Sequence, residues 1–155
     1  MTLSTSQDAP AFEMQDADGK PVRLSDYAGK KLVLYFYPKD DTSGCTREAI
    51  DFSSLKDEFT KAGAVVLGAS KDSAVSHGKF ITKHGLKVAL GSDPEGKVLE
   101  AYGVWVEKSM YGRKYMGIER ATFLIDRNGK IAQIWRKVKV PDHAKQVLKA
   151  AQSLD

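Results

Sequence analysis

Apolar residues along this chain recur in two different periods, and the alternation between these periods predicts the order of the elements. The run Leu32–Tyr37 is continuously apolar and has the length of a strand, which is typical of a strand buried on both faces. Residues 44–62 carry apolar side chains three and four positions apart, which predicts a helix that ends at Gly63. Residues 64–69 predict a second buried strand, and residues 73–84 predict a helix with a thin apolar stripe.

Two pairs of strand-like segments flank turns that contain glycine, and each pair predicts a β-hairpin. Residues 12–15 and 22–24 alternate around the turn Asp-Ala-Asp-Gly. Residues 121–125 and 131–135 flank the turn Asp-Arg-Asn-Gly in the same way. A short helix after Asp93-Pro94 and a final helix that opens at Pro141 complete the prediction.

This order of elements predicts an α/β fold. Strand–helix–strand units require a right-handed crossover and a parallel pair of strands, whereas the second hairpin adds antiparallel strands. The result is a thioredoxin-like arrangement: a mixed central sheet flanked by helices on both faces, with an N-terminal β-hairpin. We expect residues 1–155 to form a single domain and residues 1–7 to be a flexible tail.

Composition excludes several classes of protein. The net charge of +4 is modest and the lysines and arginines are scattered, so we expect no nucleic-acid partner. No apolar run approaches the roughly 20 residues of a membrane span, and the N-terminus shows no secretory signal. The one cysteine cannot form an intrachain disulfide, which favours a reducing compartment and a cytoplasmic location. No motif for a metal, a flavin or a nucleotide is present, so no cofactor is expected.

The single cysteine, Cys45, lies just beyond the first buried strand, at the predicted start of a helix. Unsatisfied N–H groups and the positive end of the helix dipole favour an anion there, and the thiolate is the reactive form of cysteine. A lone cysteine often fills core volume instead. Its neighbours Ser43, Gly44, Thr46 and Arg47 are not core residues, however, which favours a chemical role. We interpret Arg47 itself as a charge on the helix surface.

The pattern Pro38-x-x-x-Thr42-x-x-Cys45 resembles the signature of the peroxiredoxins. The longer string Phe-Tyr-Pro-Lys-Asp-Asp-Thr-x-Gly-Cys-Thr resembles the bacterioferritin-comigratory, or PrxQ, branch of that family. Residues 119–126 resemble the segment that supplies the family's active-site arginine, here Arg120. The resemblance implies a thiol-dependent peroxidase that reduces hydrogen peroxide and alkyl hydroperoxides through a cysteine sulfenic acid.

The resemblance also implies a role for each matched residue. Cys45 attacks the peroxide, and the guanidinium of Arg120 stabilises the thiolate and the charge on the leaving oxygen. Thr42 forms hydrogen bonds with the peroxide and the sulfur, Pro38 shields the thiolate, and Gly44 supplies a backbone N–H group. Other readings stay open: Thr42 as a helix cap, Arg120 as a surface residue and Pro38 as a strand terminator.

The chain departs from the pattern of this branch where a second, resolving cysteine is expected. The two positions that carry it in other members are Ile50 and Ile81 here, and Ser43 replaces the usual proline. We therefore expect a one-cysteine mechanism in a monomer, recycled by thioredoxin, glutaredoxin or glutathione. The alternatives are a redox sensor with little turnover, and a non-catalytic thioredoxin-like binding module whose thiol is buried and neutral.

Two further groups of residues carry weaker expectations. His77 and His84 lack a matching cysteine or carboxylate pair, so we expect exposed residues and not metal ligands. One segment without clear periodicity contains Trp105, Met110, Tyr111, Tyr115 and Met116. We interpret this segment as a loop folded onto the core; the alternative is a hydrophobic collar over the pocket that would favour organic hydroperoxides.

Overall fold

The computed structural model describes residues 3–155 of the chain. Its strands and helices, in chain order, are β1 (Glu13–Gln15), β2 (Pro21–Arg23), a 3-10 turn (Leu24–Tyr27), β3 (Lys31–Phe36), α1 (Ser43–Ser54), α2 (Lys56–Lys61), β4 (Ala64–Ser70), α3 (Ala74–His84), β5 (Ala89–Ser92), α4 (Lys97–Ala101), β6 (Trp105–Met110), β7 (Arg113–Ile118), β8 (Ala121–Ile125), β9 (Ile131–Trp135) and α5 (His143–Ser153). Among residues 3–155, none of the helices is both long and apolar enough to cross a membrane.

Seven strands form one mixed sheet in the order β2-β1-β5-β4-β3-β8-β9. β3, β4 and β5 run parallel, whereas β1 pairs antiparallel with β2 and β5, and β8 pairs antiparallel with β3 and β9. Every residue of β3 is buried, as expected for the apolar residues 32–36 at the centre of a sheet, and the buried Lys31 donates to the carbonyl of Ala151 over 2.8 Å. The predicted mixed sheet, the N-terminal hairpin and the thioredoxin-like arrangement are confirmed.

Alternation along β3 separates two apolar cores, one on each face of the sheet. Leu32, Leu34 and Phe36 join the cluster that includes residues of α4 and the N-terminal hairpin. Val33, Tyr35 and Tyr37 join the cluster that is built on α1, α2, α3 and α5. Cys45 belongs to this second cluster, so α1 places its first turn directly over the carboxyl end of β3.

Several elements differ from the sequence-based prediction; the last helix, for example, begins at His143 and not at Pro141. The predicted helix over residues 44–62 is interrupted at Leu55, where φ is −102° and ψ is 8°, so α1 and α2 are separate helices. Strand β5 was absent from the prediction because it is only four residues long and contains Gly91. The short helix α4 begins at Lys97, after Gly96 in the left-handed conformation, and not directly after Pro94.

The segment expected to fold onto the core as a loop is instead an antiparallel hairpin of β6 and β7. Its tip is exposed: Tyr111 keeps 97% of its accessible surface and Met110 keeps 56%. Tyr115 and Met116 are also exposed. The interpretation as a loop packed on the core is therefore wrong, because Gly112 with its positive φ allows a tight turn and the strands pair with each other.

Part of the predicted tail is hydrogen-bonded to the sheet. The backbone N–H of Ser6 donates to the carbonyl of Ile131 over 2.8 Å, and the carbonyl of Gln7 accepts from Ile131 N–H over 2.8 Å. Residues 4–7 form a turn before this contact. The flexibility of residues 1–7 stays a prediction.

Candidate active site

The loop between β3 and α1, residues 37–42, delivers Cys45 to the sheet edge. Thr42 is extended, with φ −90° and ψ 157°, and precedes the first helical residue, so Cys45 is the third residue of α1. Asp41, just before it, has a φ of 59° in the left-handed region, which aspartate tolerates better than most side chains. The side chain of Cys45 is buried, with 2% of the residue exposed. Its sulfur thus lies at a helix start, where backbone N–H groups lack helical partners.

Arg120 lies beside this sulfur although 75 residues separate it from Cys45. β8 pairs with β3 so that Ala121 faces Phe36, and position 120 therefore lies next to the carboxyl end of β3. The Nη2 atom of Arg120 donates to Cys45 Sγ over 3.4 Å. Because a guanidinium stays charged at all relevant pH values, this contact places a permanent cation against the thiol. The reading of Arg120 as a surface residue is wrong, since its side chain is only 17% exposed.

Gly44 provides the space that this contact requires. A Cβ atom at position 44 would lie 3.2 Å from Arg120 Nη2 and 3.9 Å from Arg120 Cζ. The first distance is shorter than ordinary van der Waals contact, so a side chain here would require the guanidinium to shift by a few tenths of an ångström. The sequence singled out Gly44 for its N–H group, and the structure adds this steric reason.

Glu48 completes the site, and sequence reasoning assigned it no role. Its Oε1 atom accepts from Arg120 Nη1 over 2.7 Å, and the side chain is 1% exposed. Burial raises the pKa of Glu48 to about 7, against the lowering effect of Arg120. The available signal was its position three residues after Cys45, which puts both side chains on one helix face.

The shared guanidinium is held firmly in its charged form. Burial acts to lower the pKa of Arg120, but the neighbouring Glu48 and Cys45 outweigh it and the pKa is raised. Tyr35 lies beneath the same groups on β3, and its pKa is raised by burial and then by Glu48. Its hydroxyl and Glu48 Oε2 have no hydrogen-bond partner among the described residues. These two buried polar atoms therefore leave electrostatic contacts in the site poorly screened by other donors and acceptors.

The structure brings Cys45, Gly44 and Arg120 together, and it places Pro38 and Thr42 on the loop that leads into α1. The hydroxyl of Thr42 donates to the carbonyl of Lys39 over 2.8 Å. Thr42 occupies the N-cap position of α1, but its side chain forms no capping hydrogen bond. The reading of its hydroxyl as a helix cap is therefore not what this structure shows.

The expectation that His77 is exposed is wrong. Its ring is fully buried, with Nδ1 2.8 Å from Asp40 Oδ2 and Nε2 3.0 Å from the carbonyl oxygen of Gly91. The thin apolar stripe of α3 did not indicate the burial of His77, because α3 buries a polar network and not only apolar side chains. Ligand atoms of Asp40, Asp72 and His77 lie within 4.8 Å of one another, close enough to hold a metal ion. Asp40 and Asp72 already accept hydrogen bonds from protein groups.

The second histidine, His84, is also less exposed than expected, at 22% of its side chain, and its Nε2 atom lies 2.8 Å from Asp41 Oδ1. Arg47 does lie on the surface, with 69% of its side chain exposed and an ion pair to Asp51. Ile50, where a resolving cysteine could have stood, is 41% exposed on α1.

Comparison with known proteins agrees with this geometry. The model of the AhpC/TSA family matches residues 5–134. The chain belongs to the AhpC/TSA family.

Within this family, its relatives are peroxiredoxins of the Bcp, or PrxQ, branch. Peroxiredoxin Bcp of Bacillus subtilis (strain 168) is 49% identical over 154 residues, which cover 99% of this chain and 98% of the relative. The putative peroxiredoxin bcp of Coxiella burnetii is 49% identical over 148 residues, which cover 96% of this chain and 98% of that protein. The predicted family and branch are confirmed, and the chain is a thiol-dependent peroxidase.

Solved structures support the same assignment for this peroxiredoxin. Bacterioferritin comigratory protein of Xanthomonas campestris, described for its alkyl peroxide reduction activity, superposes with a TM-score of 0.90 at 44% identity. That match covers 97% of this chain and 98% of the other. BcpB of Mycobacterium tuberculosis is more distant, with a TM-score of 0.87 at 31% identity over 99% of both chains. An enzyme, and not a non-catalytic binding module, is therefore the correct class for this chain.

Proposed function

We propose that this peroxiredoxin reduces hydrogen peroxide and alkyl hydroperoxides with Cys45 as its nucleophile, in a one-cysteine mechanism. The observation that carries the proposal is the contact of Arg120 Nη2 with Cys45 Sγ, 3.4 Å long, at the N-terminus of α1. Alkyl hydroperoxides are included because the Xanthomonas campestris relative is described for alkyl peroxide reduction. The burial of Cys45 favours small or slender peroxides, since a bulky group would have to displace the residues that cover the sulfur.

In the first step, the thiolate of Cys45 attacks one peroxide oxygen and the O–O bond breaks. The sulfur becomes a sulfenic acid, and the other oxygen leaves as water or an alcohol after it takes up one proton. Negative charge moves from the sulfur to the leaving oxygen during this step. A fixed guanidinium within reach of both atoms stabilises that charge without reorganisation, which is often the largest catalytic contribution.

The loop residues would complete the peroxide site. The hydroxyl hydrogen of Thr42 is engaged with the carbonyl of Lys39, so its oxygen keeps lone pairs that can accept a hydrogen bond from the peroxide. The N–H groups of Gly44 and Cys45 belong to the first turn of α1 and can donate to the leaving oxygen. Pro38 has no N–H group, and it would limit access of water to the sulfur.

The second half of the reaction needs thiols from outside the chain, because the sequence contains one cysteine. A first external thiol attacks the sulfenic sulfur, forms a mixed disulfide and releases water. A second thiol then attacks this disulfide and regenerates Cys45. Thioredoxin, glutaredoxin and glutathione are the proposed donors, and their need for a reducing environment supports a cytoplasmic location. We also propose that the protein acts as a monomer, since the site is assembled from one chain.

The proposal is tested by stopped-flow measurement of peroxide oxidation in the wild type and three variants. Cys45→Ser should abolish the reaction, and Arg120→Met should slow it about 100-fold, as expected for loss of a donor aimed at developing charge. Arg47→Met is the matched control, because Arg47 lies on α1 with Cys45 but is exposed and pairs with Asp51. If Arg120→Met reacted as fast as Arg47→Met, the role given to Arg120 would be wrong.

A redox sensor is the second candidate, and the absence of a second cysteine is the observation that favours it. Steady-state consumption of peroxide with excess thioredoxin, glutaredoxin or glutathione separates the two. A peroxidase turns over many times with at least one donor, whereas a sensor stops after about one equivalent of peroxide. An unreduced sulfenic acid would then proceed to the sulfinic acid, which mass spectrometry detects.

A further inference from the structure

We infer that Asp40 and His77 form a positioning pair that shares a proton and fixes the catalytic loop, residues 37–42. This inference rests on the proposed function, because the loop carries Pro38 and Thr42 and leads directly into the helix turn of Cys45. The pair lies outside the peroxide site and would act on it only through the conformation of the loop.

The contacts of His77 require hydrogens on both ring nitrogens. Nε2 lies 3.0 Å from the carbonyl oxygen of Gly91, and a carbonyl can only accept, so Nε2 carries a hydrogen. Nδ1 lies 2.8 Å from Asp40 Oδ2 and 3.3 Å from the hydroxyl oxygen of Tyr37, whose hydrogen is directed to the nearer Asp40 Oδ1 at 2.6 Å. A neutral ring with its hydrogen on Nε2 has a bare lone pair at Nδ1, which cannot bond to an ionised carboxylate. One further proton therefore lies between Nδ1 and Oδ2.

The other contacts of Asp40 place this proton on the histidine. Tyr37 donates its hydroxyl to Oδ1 over 2.6 Å, and Ser76 donates to Oδ2 over 2.8 Å. Burial acts to raise the pKa of Asp40, but the hydrogen bonds from His77, Tyr37 and Ser76 outweigh it and the pKa is lowered. The carboxyl group is therefore ionised, and the buried pair is an imidazolium and a carboxylate.

The groups around the pair come from several elements. Tyr37 extends from the end of β3, and burial raises its pKa far above its ordinary value, so it stays neutral. Asp72, after β4, accepts from the backbone N–H of Asp40 over 2.8 Å and from Ser70 over 2.7 Å. Its carboxylate adds a second negative group near the ring. β5 contributes the uncharged carbonyl of Gly91.

Because of these contacts, the catalytic loop takes its conformation from α3. Asp40 is bound to the first turns of α3 through Ser76 and His77. The adjacent Asp41, with its positive φ, accepts from the exposed Lys83 at 2.7 Å and lies 2.8 Å from Nε2 of the partly exposed His84, both further along α3. Without the shared proton, a lone pair would face a carboxylate oxygen, so the buried link would be lost and the loop released.

The protonation of His77 can be measured directly by NMR of 15N-histidine-labelled protein at pH 7. The chain has three histidines, and His77→Asn assigns the signal of interest. We expect both ring nitrogens of His77 to be protonated. His143 is the internal reference: burial, with Arg120 nearby, lowers its pKa to about 4, so it should show one bare nitrogen. A bare Nδ1 on His77 at pH 7 would overturn the inference, whatever the peroxidase activity.

Asp40→Asn tests the link to catalysis. The amide of asparagine can donate to a neutral His77, so the link no longer needs the extra proton. We expect the ratio of oxidation rates, Asp40→Asn over wild type, to rise with pH by up to about tenfold per pH unit once the wild-type link loses its proton. Asp57→Asn, the same substitution at an exposed position of α2, is the control and should keep the wild-type profile. A ratio that stays constant from pH 6 to 10 would show a merely structural role and refute the positioning pair.

Discussion

Replacement of Glu48 by Gln should remove a pH dependence from the stability of this peroxiredoxin. The side chain is 1% exposed, and only Oε1 has a hydrogen-bond partner among the described residues, namely Arg120. Burial raises its pKa from 4.5 to about 7, although Arg120 acts to lower it. Glutamine has nearly the same shape and keeps the acceptor oxygen for Arg120, but it cannot ionise.

The sign and size of the effect follow from this pKa. An acid whose pKa is raised on folding binds its proton more tightly in the folded state, so it contributes stability below pH 4.5 that is lost as the pH rises through 7. At about 1.4 kcal/mol per pH unit, the rise from 4.5 to about 7 corresponds to about 3 kcal/mol. The wild type should therefore lose about 3 kcal/mol relative to Glu48→Gln between pH 4.5 and 8.

Urea unfolding at half-unit steps from pH 4.5 to 8 measures this difference. Carboxylates whose pKa values are lowered, such as Asp40 and Glu119, add stability as the pH rises, but they do so equally in both proteins and cancel. Glu95→Gln is the matched control, because Glu95 is 72% exposed and pairs only with an exposed lysine. Its difference from the wild type should stay within about 0.5 kcal/mol at every pH.

Two outcomes would refute the reasoning. A difference between wild type and Glu48→Gln that is flat from pH 4.5 to 8 would show that the carboxyl group has an ordinary pKa. A difference of the opposite sign, with the wild type gaining stability as the pH rises, would show that attraction to Arg120 exceeds the cost of burial. In that case Arg120 and Glu48 form a fixed ion pair, and the positive charge of Arg120 stabilises Glu48 more than the thiolate of Cys45.

Two glycines give further predictions. Gly44→Ala should slow oxidation of Cys45 about threefold to tenfold, because its Cβ would lie 3.2 Å from Arg120 Nη2. The unfolding free energy should not fall, because alanine favours the helix. Stopped-flow oxidation and urea titration measure the two effects, and an unchanged oxidation rate would contradict the steric argument. Gly68→Ala should destabilise the fold by about 1–3 kcal/mol, because its Cβ would lie 2.6 Å from Tyr35 Cζ. An unfolding free energy equal to that of the wild type, measured by urea titration, would contradict this steric prediction.

The sequence predicts the scaffold well because its signals are local. The apolar run at β3 and the turns with glycine each depend on neighbouring residues, whereas the prolines only mark the approach to α4 and α5, which begin at Lys97 and His143. The break at Leu55 has no such signal, because the apolar spacing of residues 44–62 continues across it and both α1 and α2 contact α5. Strand β5 is recognisable mainly through its pairing with β4, since four residues carry too little periodicity.

The residues of the site can be predicted only where they belong to one continuous motif or to a segment that resembles a known family. Cys45, Thr42 and Pro38 follow from one loop, and Arg120 follows from the resemblance of its segment. The position of Glu48 three residues after Cys45 places it on the same helix face, but nothing local shows that it is buried, because its partner Arg120 lies just before β8, 72 residues away. His77 was misjudged for the same reason: its acid partner, Asp40, lies 37 residues away and becomes its neighbour only in the folded chain.

The guanidinium of Arg120 contacts two acidic groups, Glu48 and Cys45, and these two groups compete for its positive charge. Arg120 faces Cys45 Sγ through Nη2 and Glu48 Oε1 through Nη1. A neutral Glu48 leaves the positive charge to the thiolate, whereas an ionised Glu48 competes for it. Glu48→Gln removes this competition but keeps the hydrogen bond that orients Arg120. A variant that reacts faster with peroxide at pH 8 would therefore indicate competition for charge, and a slower one would indicate that the ionised carboxylate is needed to hold Arg120 in place.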